Sequence, residues 1–386
     1  MRIARVLTRL NLGGPARQVL ASDPELVRRG HEVRIFCGTP EAGEGDLFET
    51  AREQGLDVVR VPGLARGWSV SGDLRARAFL REGLRTFAPD VIHTHASKAG
   101  ALGRSAGRPL TGVPRVHTFH GHVLEGYFGP TVSRGLIAIE RKLARDTDRI
   151  VAVSHATADD LVRLEICAEE QLVVCPPGID LAPFLALERG VGERHARLGA
   201  GPGARIVGVI GRLAEVKRLD WAVDVFVLLA ERHPELHLVF CGDGDQRGML
   251  ERRILALPGD GPRRVHMLGA VEDMPGVLAG LTAVLASSRS EGLPVALIEA
   301  AAAGLPVVAT PVGGTEELVA HERTGFLGAS SDELAYGLSQ LLADPEEARA
   351  MGARARTRVA RRHSAVALAD RLEALYQAVV EERACA

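Results

Sequence analysis

The sequence predicts an α/β protein of two doubly wound domains, each a parallel sheet covered by helices, with a ligand cleft between them. Three observations carry this. At 386 residues the chain is long enough for about two domains, each with its own core. Short β-branched runs alternate with helix-length segments from end to end, as in successive βαβ units. The alternation also comes in two series. Strands are predicted at 2–8, 32–38, 56–62, 90–95, 115–120, 149–154 and 172–175, then at 205–210, 236–241, 264–268, 283–287, 306–310 and 325–327.

Between the series lies Pro176-Pro177-Gly178-Ile179-Asp180, then a polar, glycine-bearing segment read as a helix to about residue 203, which argues for a hinge. We therefore expect domains at 1–183 and 184–363. A closing helix at 364–386 follows, with Leu368, Leu372, Leu375, Tyr376 and Val379 at helical spacing. In open α/β sheets ligands bind beyond the carboxyl ends of the strands, so the residues that close each strand are the candidates.

Composition excludes several classes. The formal net charge of −2 and 4% aromatic content give no reason to expect nucleic acid as a partner. Cys37, Cys167, Cys175, Cys241 and Cys385 are odd in number and lack C-x-x-C spacing, which fits a reduced cytoplasm. The chain opens into a strand-like run without a signal-peptide core, and no apolar run reaches the length of a membrane span. Charge is uneven, however. Residues 60–115 hold ten basic side chains against Asp73, Glu82 and Asp90, 10 − 3 = +7. That is either a solvated helix face or a basic patch near an acceptor, suited to a lipid phosphate or an anionic membrane surface. Only Lys98, Lys142 and Lys217 are lysines among 47 basic residues. Two of them fall in motifs, where a compact point charge suits the site better than a planar fork.

The most informative stretch is Ser290-Glu291-Gly292-Leu293-Pro294-Val295, which continues through an apolar run to Glu299. Proline favours the first helical position, so the helix should run from about Pro294 to Gly304. Free amides at Gly292, Leu293 and Val295 would then form an anion site. Glu291 precedes that site and Glu299 lies one to two turns beyond, so two acids could grip hydroxyls on either side of a bound diphosphate. Gly211-Arg212-Leu213-Ala214-Glu215-Val216-Lys217 closes a strand and can bring two cations to one phosphate. Leu12-Gly13-Gly14-Pro15 is a glycine turn that lets backbone approach a ligand, or a plain tight turn.

Other motifs are weaker. His117-Thr118-Phe119-His120-Gly121-His122 closes the fifth strand, with His120 and His122 on one face; no third ligand at suitable spacing makes this a metal site. Cys241-Gly242-Asp243-Gly244 starts a dinucleotide-type G-x-G, but position 247 is Arg where a third glycine belongs. Gly103-Arg104-Ser105-Ala106-Gly107 spells G-x-S-x-G without the apolar strand that a nucleophile elbow needs. Trp68, Phe79 and Phe87 read as core or membrane-facing. Val312-Gly313-Gly314-Thr315-Glu316 is another strand-to-helix glycine turn, and Ser97-Lys98-Ala99-Gly100 follows the fourth strand.

Taken in order, these motifs resemble those of family 4 glycosyltransferases, whose Glu-x7-Glu signature matches Glu291 and Glu299. Those are retaining nucleotide-sugar enzymes of GT-B architecture, two facing Rossmann-like domains. The resemblance runs from Leu12 to the last helix. It implies that Glu299 holds ribose hydroxyls, Glu291 sugar hydroxyls, and that Arg212 and Lys217 stabilise the departing diphosphate in place of a metal. It also implies that His120 touches the transferred sugar, that Gly13 and Gly14 face a phosphate or the acceptor, and that Gly242 and Asp243 lie beside base or ribose. Gly313 and Gly314 would border the sugar, and Ser97 and Lys98 the acceptor. The closing helix would cross back onto the first domain. A UDP-sugar is expected as the sugar source, with no metal or other cofactor. The acceptor, whether glycan, lipid or small molecule, stays open. The alternatives are a UDP-N-acetylhexosamine 2-epimerase on the same architecture, a sugar-nucleotide binder without turnover and, more remotely, an NAD-dependent dehydrogenase.

Overall fold

A computed structural model describes residues 1–385 except 42–43, 68, 122–123, 125–128 and 189–197. Trp68, His122 and residues 189–197 of the expected hinge helix lie outside the described residues, and earlier in that segment a short helix forms at Ala182–Leu185. Two compact units form: Met1–Ile179 with His363–Ala386, and Asp180–Arg362.

The first unit is a seven-stranded, wholly parallel sheet. Its strands are β1 (Arg2–Arg9), β2 (Glu32–Gly38), β3 (Asp57–Arg60), β4 (Val91–His95), β5 (Arg115–Phe119), β6 (Arg149–Ala152) and β7 (Leu172–Val174). They lie in the order β3-β2-β1-β4-β5-β6-β7, so the winding reverses between β1 and β4. The second unit is a parallel sheet of β8 (Arg205–Ile210), β9 (Leu236–Cys241), β10 (Val265–Gly269), β11 (Ala283–Ala286), β12 (Val307–Ala309) and β13 (Gly325–Leu327). Its order, β10-β9-β8-β11-β12-β13, reverses between β8 and β11. Every strand expected from the sequence is present. Central strands such as VIHTH and AVLA read as continuous rather than alternating runs, because helices cover both faces of a parallel sheet.

The closing helix, Ala365–Cys385, belongs to the first unit. Leu368, Leu372, Tyr376 and Val379 pack with Ile3 and Leu7 of β1 and Val19 of the helix Gly14–Arg28. The chain re-enters this unit where Ile179 N donates to His363 O (2.9 Å) and Ile179 bridges Ser364. No described helix is long and apolar enough to cross a membrane.

The basic excess at 60–115 shrinks in three dimensions. Arg60 pairs with Asp46, Arg66 with Glu41 and Arg108 with Asp146, all acids outside that window. Arg104 is wholly buried against Glu140 (2.6 Å). Arg75, Arg77 and Arg81, on the helix Val70–Phe87, are the exposed cations of this stretch for which no ion pair forms among the described residues. Phe87 is core, with Arg2 and Arg34 over its ring, whereas Phe79 is partly exposed.

Leu372 is 4% exposed, so Leu372→Ala should remove about 3 kcal/mol of stability. Urea unfolding should show an earlier midpoint. An unmoved midpoint would mean that the helix does not complete this core.

Candidate active site

Adjacent strands that wind in opposite senses splay the loops at their carboxyl ends and leave a crevice there. In the second unit the crevice lies between β8 and β11, and two loops from the sequence analysis enter it. The loop after β8 runs through Gly211, Arg212 and a single 3₁₀ turn, Glu215–Lys217. Arg218 follows at φ 45° and starts the helix Leu219–Ala230, stacked on Trp221 and paired with Asp220. The loop after β11 carries Ser287, Ser288, Glu291 and Gly292.

These loops are joined by main-chain and side-chain contacts. Arg289 N donates to Val216 O (2.7 Å), and Ser287 Oγ donates to the carbonyls of Lys217 (3.1 Å) and Arg218 (2.8 Å). Lys217 Nζ meets Glu291 Oε1 at 2.5 Å, both side chains being mostly shielded from solvent. Ser288 Oγ donates to the same oxygen (2.6 Å). Among the described residues Glu291 Oε2 has no hydrogen-bond donor, so this carboxylate can still accept from a ligand hydroxyl. Arg212 stands exposed on the same loop as Lys217, and no ion pair or hydrogen bond engages its guanidinium among the described residues.

The helix carrying Glu299 is Val295–Ala302. Here the structure corrects the expectation for Pro294. The proline is the cap residue, extended at φ −74°, ψ 112°, and its carbonyl accepts from Leu297 N and Ile298 N. Helix therefore begins at Val295, one residue later. Among the described residues the amides of Gly292, Leu293, Val295 and Ala296 have no acceptor. Val295 N and Ala296 N thus lie in the first turn, at the positive end of the helix dipole, and Gly292 N and Leu293 N just ahead of it, a place suited to an anion. Glu299 sits in the second turn and is buried.

Close backbone packing explains the glycines around this crevice. Gly242 (φ 148°) lies so near Gly211 that a Cβ would run into the Gly211 carbonyl. Leu213 N donates to Asp243 O (2.9 Å), tying the two loops together. The Asp243 carboxylate turns back to Gly244 N (2.7 Å) and stays exposed. Gly313 (φ 52°) packs against the Glu291 carbonyl, and Gly314 N donates to Gly292 O (2.8 Å). Thr310 Oγ1 donates to Ser288 O (2.6 Å). Ser287, Ser288 and Thr310 escaped sequence reasoning, because short polar residues at strand ends carry no distinguishing spacing.

In the first unit the reversal lies between β1 and β4. Gly13 caps the helix Gly14–Arg28 at the end of β1 (φ −81°, ψ 162°), so Gly13 and Gly14 form the turn expected of them. His120 follows β5, whose last strand residue is Phe119. Its Nε2 lies 3.0 Å from His95 Nδ1, and Gln18 Nε2 lies 3.4 Å from its Nδ1. Burial, with the Arg5 charge added, pushes the His120 imidazole down to about 3, so it is neutral at physiological pH. Ser97 begins the helix Ser97–Gly107. Lys98 is not a free cation, because its ammonium pairs with Asp73 (2.7 Å) and donates to Gly67 O. Ser105 lies inside that helix and its hydroxyl bonds to Leu102 O (3.0 Å), which disposes of the nucleophile elbow.

Residues 12–183 match Glycosyltransferase Family 4, and residues 192–358 match Glycosyl transferases group 1. A D-inositol 3-phosphate glycosyltransferase of Actinosynnema mirum is 30% identical over 362 residues, covering 86% of this chain and 84% of that protein. The chain belongs to the group 1, family 4 glycosyltransferases. A second relative of this transferase is the Escherichia coli UDP-Gal:alpha-D-GlcNAc-diphosphoundecaprenol alpha-1,3-galactosyltransferase, 27% identical over 331 residues (85% of this chain, 84% of that protein). Among solved structures, Anabaena HepE in complex with UDP-glucose superposes with a TM-score of 0.81 at 21% identity, covering 98% of this chain and 100% of that one. Sucrose-phosphate synthase from Thermosynechococcus elongatus gives 0.82 at 22% identity, with 99% and 100% covered. These likenesses fix the fold as GT-B.

Gly313→Ala places a Cβ against backbone at a left-handed φ and should cost about 2 kcal/mol or more. Gly201→Ala, where a Cβ meets open space, should stay within about 0.5 kcal/mol. Thermal unfolding of the two variants checks this, and equal midpoints would show that the 312–314 loop is not held against Glu291.

Proposed function

We propose that this glycosyltransferase moves a sugar from a UDP-sugar to an acceptor hydroxyl, with retention at the anomeric carbon and without a metal ion. The observation that carries the reading is the meeting of Lys217 and Glu291 at the switch point of the second sheet, beside four amides that have no acceptor among the described residues. A diphosphate seated on those amides competes for Lys217. Arg212, which has no partner among the described residues, supplies the second positive charge from the same loop, and the two cations stabilise the charge that grows as the diphosphate departs. Glu291, released from the ammonium, is then free to accept from sugar hydroxyls, and Glu299 takes the ribose side. Gly242 and Asp243 border the nucleoside, Gly313 and Gly314 the sugar. UDP and UDP-glucose complexes of HepE, and the UDP-Gal named for the Escherichia coli relative, support the choice of donor.

Retention follows from attack on the face that the diphosphate leaves. The bond from the anomeric carbon to the phosphate oxygen breaks as the acceptor oxygen bonds to that carbon. The acceptor proton passes to the departing phosphate oxygen, so no protein nucleophile is required. His120 orients the sugar from the first unit. Gly13, Gly14, Ser97 and Lys98 serve the acceptor side, and Asp73 holds the ammonium of Lys98 in place. We read the acceptor as a lipid-linked or polysaccharide intermediate met at the cytoplasmic membrane face. The helix Val70–Phe87 supports this, since it exposes Val70, Leu74 and Phe79 beside Arg75, Arg77 and Arg81.

Incubation with UDP-sugars in the presence of EDTA should give slow donor hydrolysis, and Arg212→Ala or Lys217→Ala should lower its kcat by about 100-fold or more. Complete dependence on added Mg²⁺ would contradict the role given to the two cations. Vesicles of phosphatidylglycerol should sediment the protein, vesicles of phosphatidylcholine should not, and replacing Arg75, Arg77 and Arg81 by Glu should abolish the difference. Equal sedimentation with both lipids would refute the membrane seat.

A further inference from the structure

Behind His120 lies a polar cluster that the transfer reaction described above does not use. Arg5 of β1, His93 and His95 of β4 and Thr118 of β5 share the sheet face covered by the closing helix, where they meet Tyr376. All are buried. Arg5 is anchored to Asp23, with Nη2–Oδ1 at 2.6 Å and Nε at 3.2 Å from both carboxylate oxygens. Its Nη1 points to His93 Nδ1 (2.6 Å) and His95 Nε2 (3.4 Å).

A guanidinium donates and never accepts, so the ring nitrogens facing it must be acceptors. A neutral imidazole carries one N–H, which then sits on the other nitrogen. His93 therefore donates from Nε2 to Thr118 Oγ1 (2.7 Å). His95 donates from Nδ1 to His120 Nε2 (3.0 Å). His120, accepting at Nε2, must carry its proton on Nδ1. The Gln18 amide nitrogen lies 3.4 Å from that atom, and this tautomer requires the half-turn of the amide that brings its oxygen there instead. Burial holds His93 and His95 well below the ordinary imidazole range, with Arg5 adding to it, which keeps each ring in the one-proton state this chain needs.

We propose that His95 is a positioning residue that relays the polarity of the Arg5 guanidinium to His120 and fixes His120 as the Nδ1–H tautomer. With the Nε2 lone pair taken by His95, the Nδ1–H that faces Gln18 is the one ring group His120 can turn over to a sugar hydroxyl, and it is a donor. This rests on the role given to His120 above, but the tautomer can be read without any sugar transfer.

Full-length protein labelled with ¹⁵N-histidine gives the tautomer from two-bond ¹H–¹⁵N correlations at neutral pH, with His120 assigned by its absence in His120→Gln. The expected spectrum has Nδ1 protonated and Nε2 bare. His95→Leu should leave His120 as a mixture of tautomers and lower kcat for UDP-glucose hydrolysis about 10-fold, with KM within about 2-fold. His95→Asn, whose amide nitrogen stands near the position of Nδ1, should keep the tautomer and recover kcat to within about 3-fold. A wild-type His120 protonated on Nε2 overturns the proposal even if His95→Leu fails to fold. So does a His95→Leu variant with tautomer and kcat unchanged. The expected tautomer in a protein that turns over no nucleotide-sugar would sink the transferase reading and leave the relay standing.

Discussion

The ion pair between Lys217 and Glu291 depends on the strand order of the second sheet. The two residues are 74 positions apart and meet because β8 and β11 are neighbours that wind away from each other. Parallel strands send all their carboxyl ends to one edge, and the reversal opens that edge at one place. Cation, acid and helix start therefore converge without any loop having to reach far. Positions 242 and 313 lack a side chain for the same reason. Gly242 lies against the Gly211 carbonyl and Gly313 against the Glu291 carbonyl, so the loops holding the pair can touch backbone to backbone.

The first unit meets the same geometry with a different chemistry. Arg5 and Asp23 form a buried ion pair, which by itself is weak evidence for stability because both charges were taken out of water. Its value lies in direction. One fixed cation between β1 and β4 orders the protons of two imidazoles, while Tyr376 brings its hydroxyl to within 2.6 Å of His93 Nδ1. The closing helix is thus joined to the strand-end cluster by a hydrogen bond as well as by apolar packing.

Much of this was legible in the sequence, and the parts that were not share a cause. Strands, glycine turns and the start of the Glu299 helix follow from local rules: β-branched runs, glycine where backbone comes close, proline where a helix begins. Pro294 was misplaced by one residue because proline suits both the cap and the first helical position. Partners distant in sequence could not be read. The +7 stretch owes much of its excess to a window that left out Glu41, Asp46, Glu140 and Asp146. Nothing in RIARVLT singles out Arg5, and only the register of β1 against β4 and the helix bearing Asp23 make it the centre of a buried cluster. Lys98, marked by its rarity as a functional point charge, turned out to be held by Asp73.

Diffraction from crystals grown with uridine diphosphate tests the central claim most directly. The β-phosphate should lie on the amides of Gly292 and Leu293, with Lys217 Nζ turned from Glu291 towards it and Arg212 folded in. A diphosphate bound elsewhere, with the Lys217–Glu291 contact intact, would contradict the account.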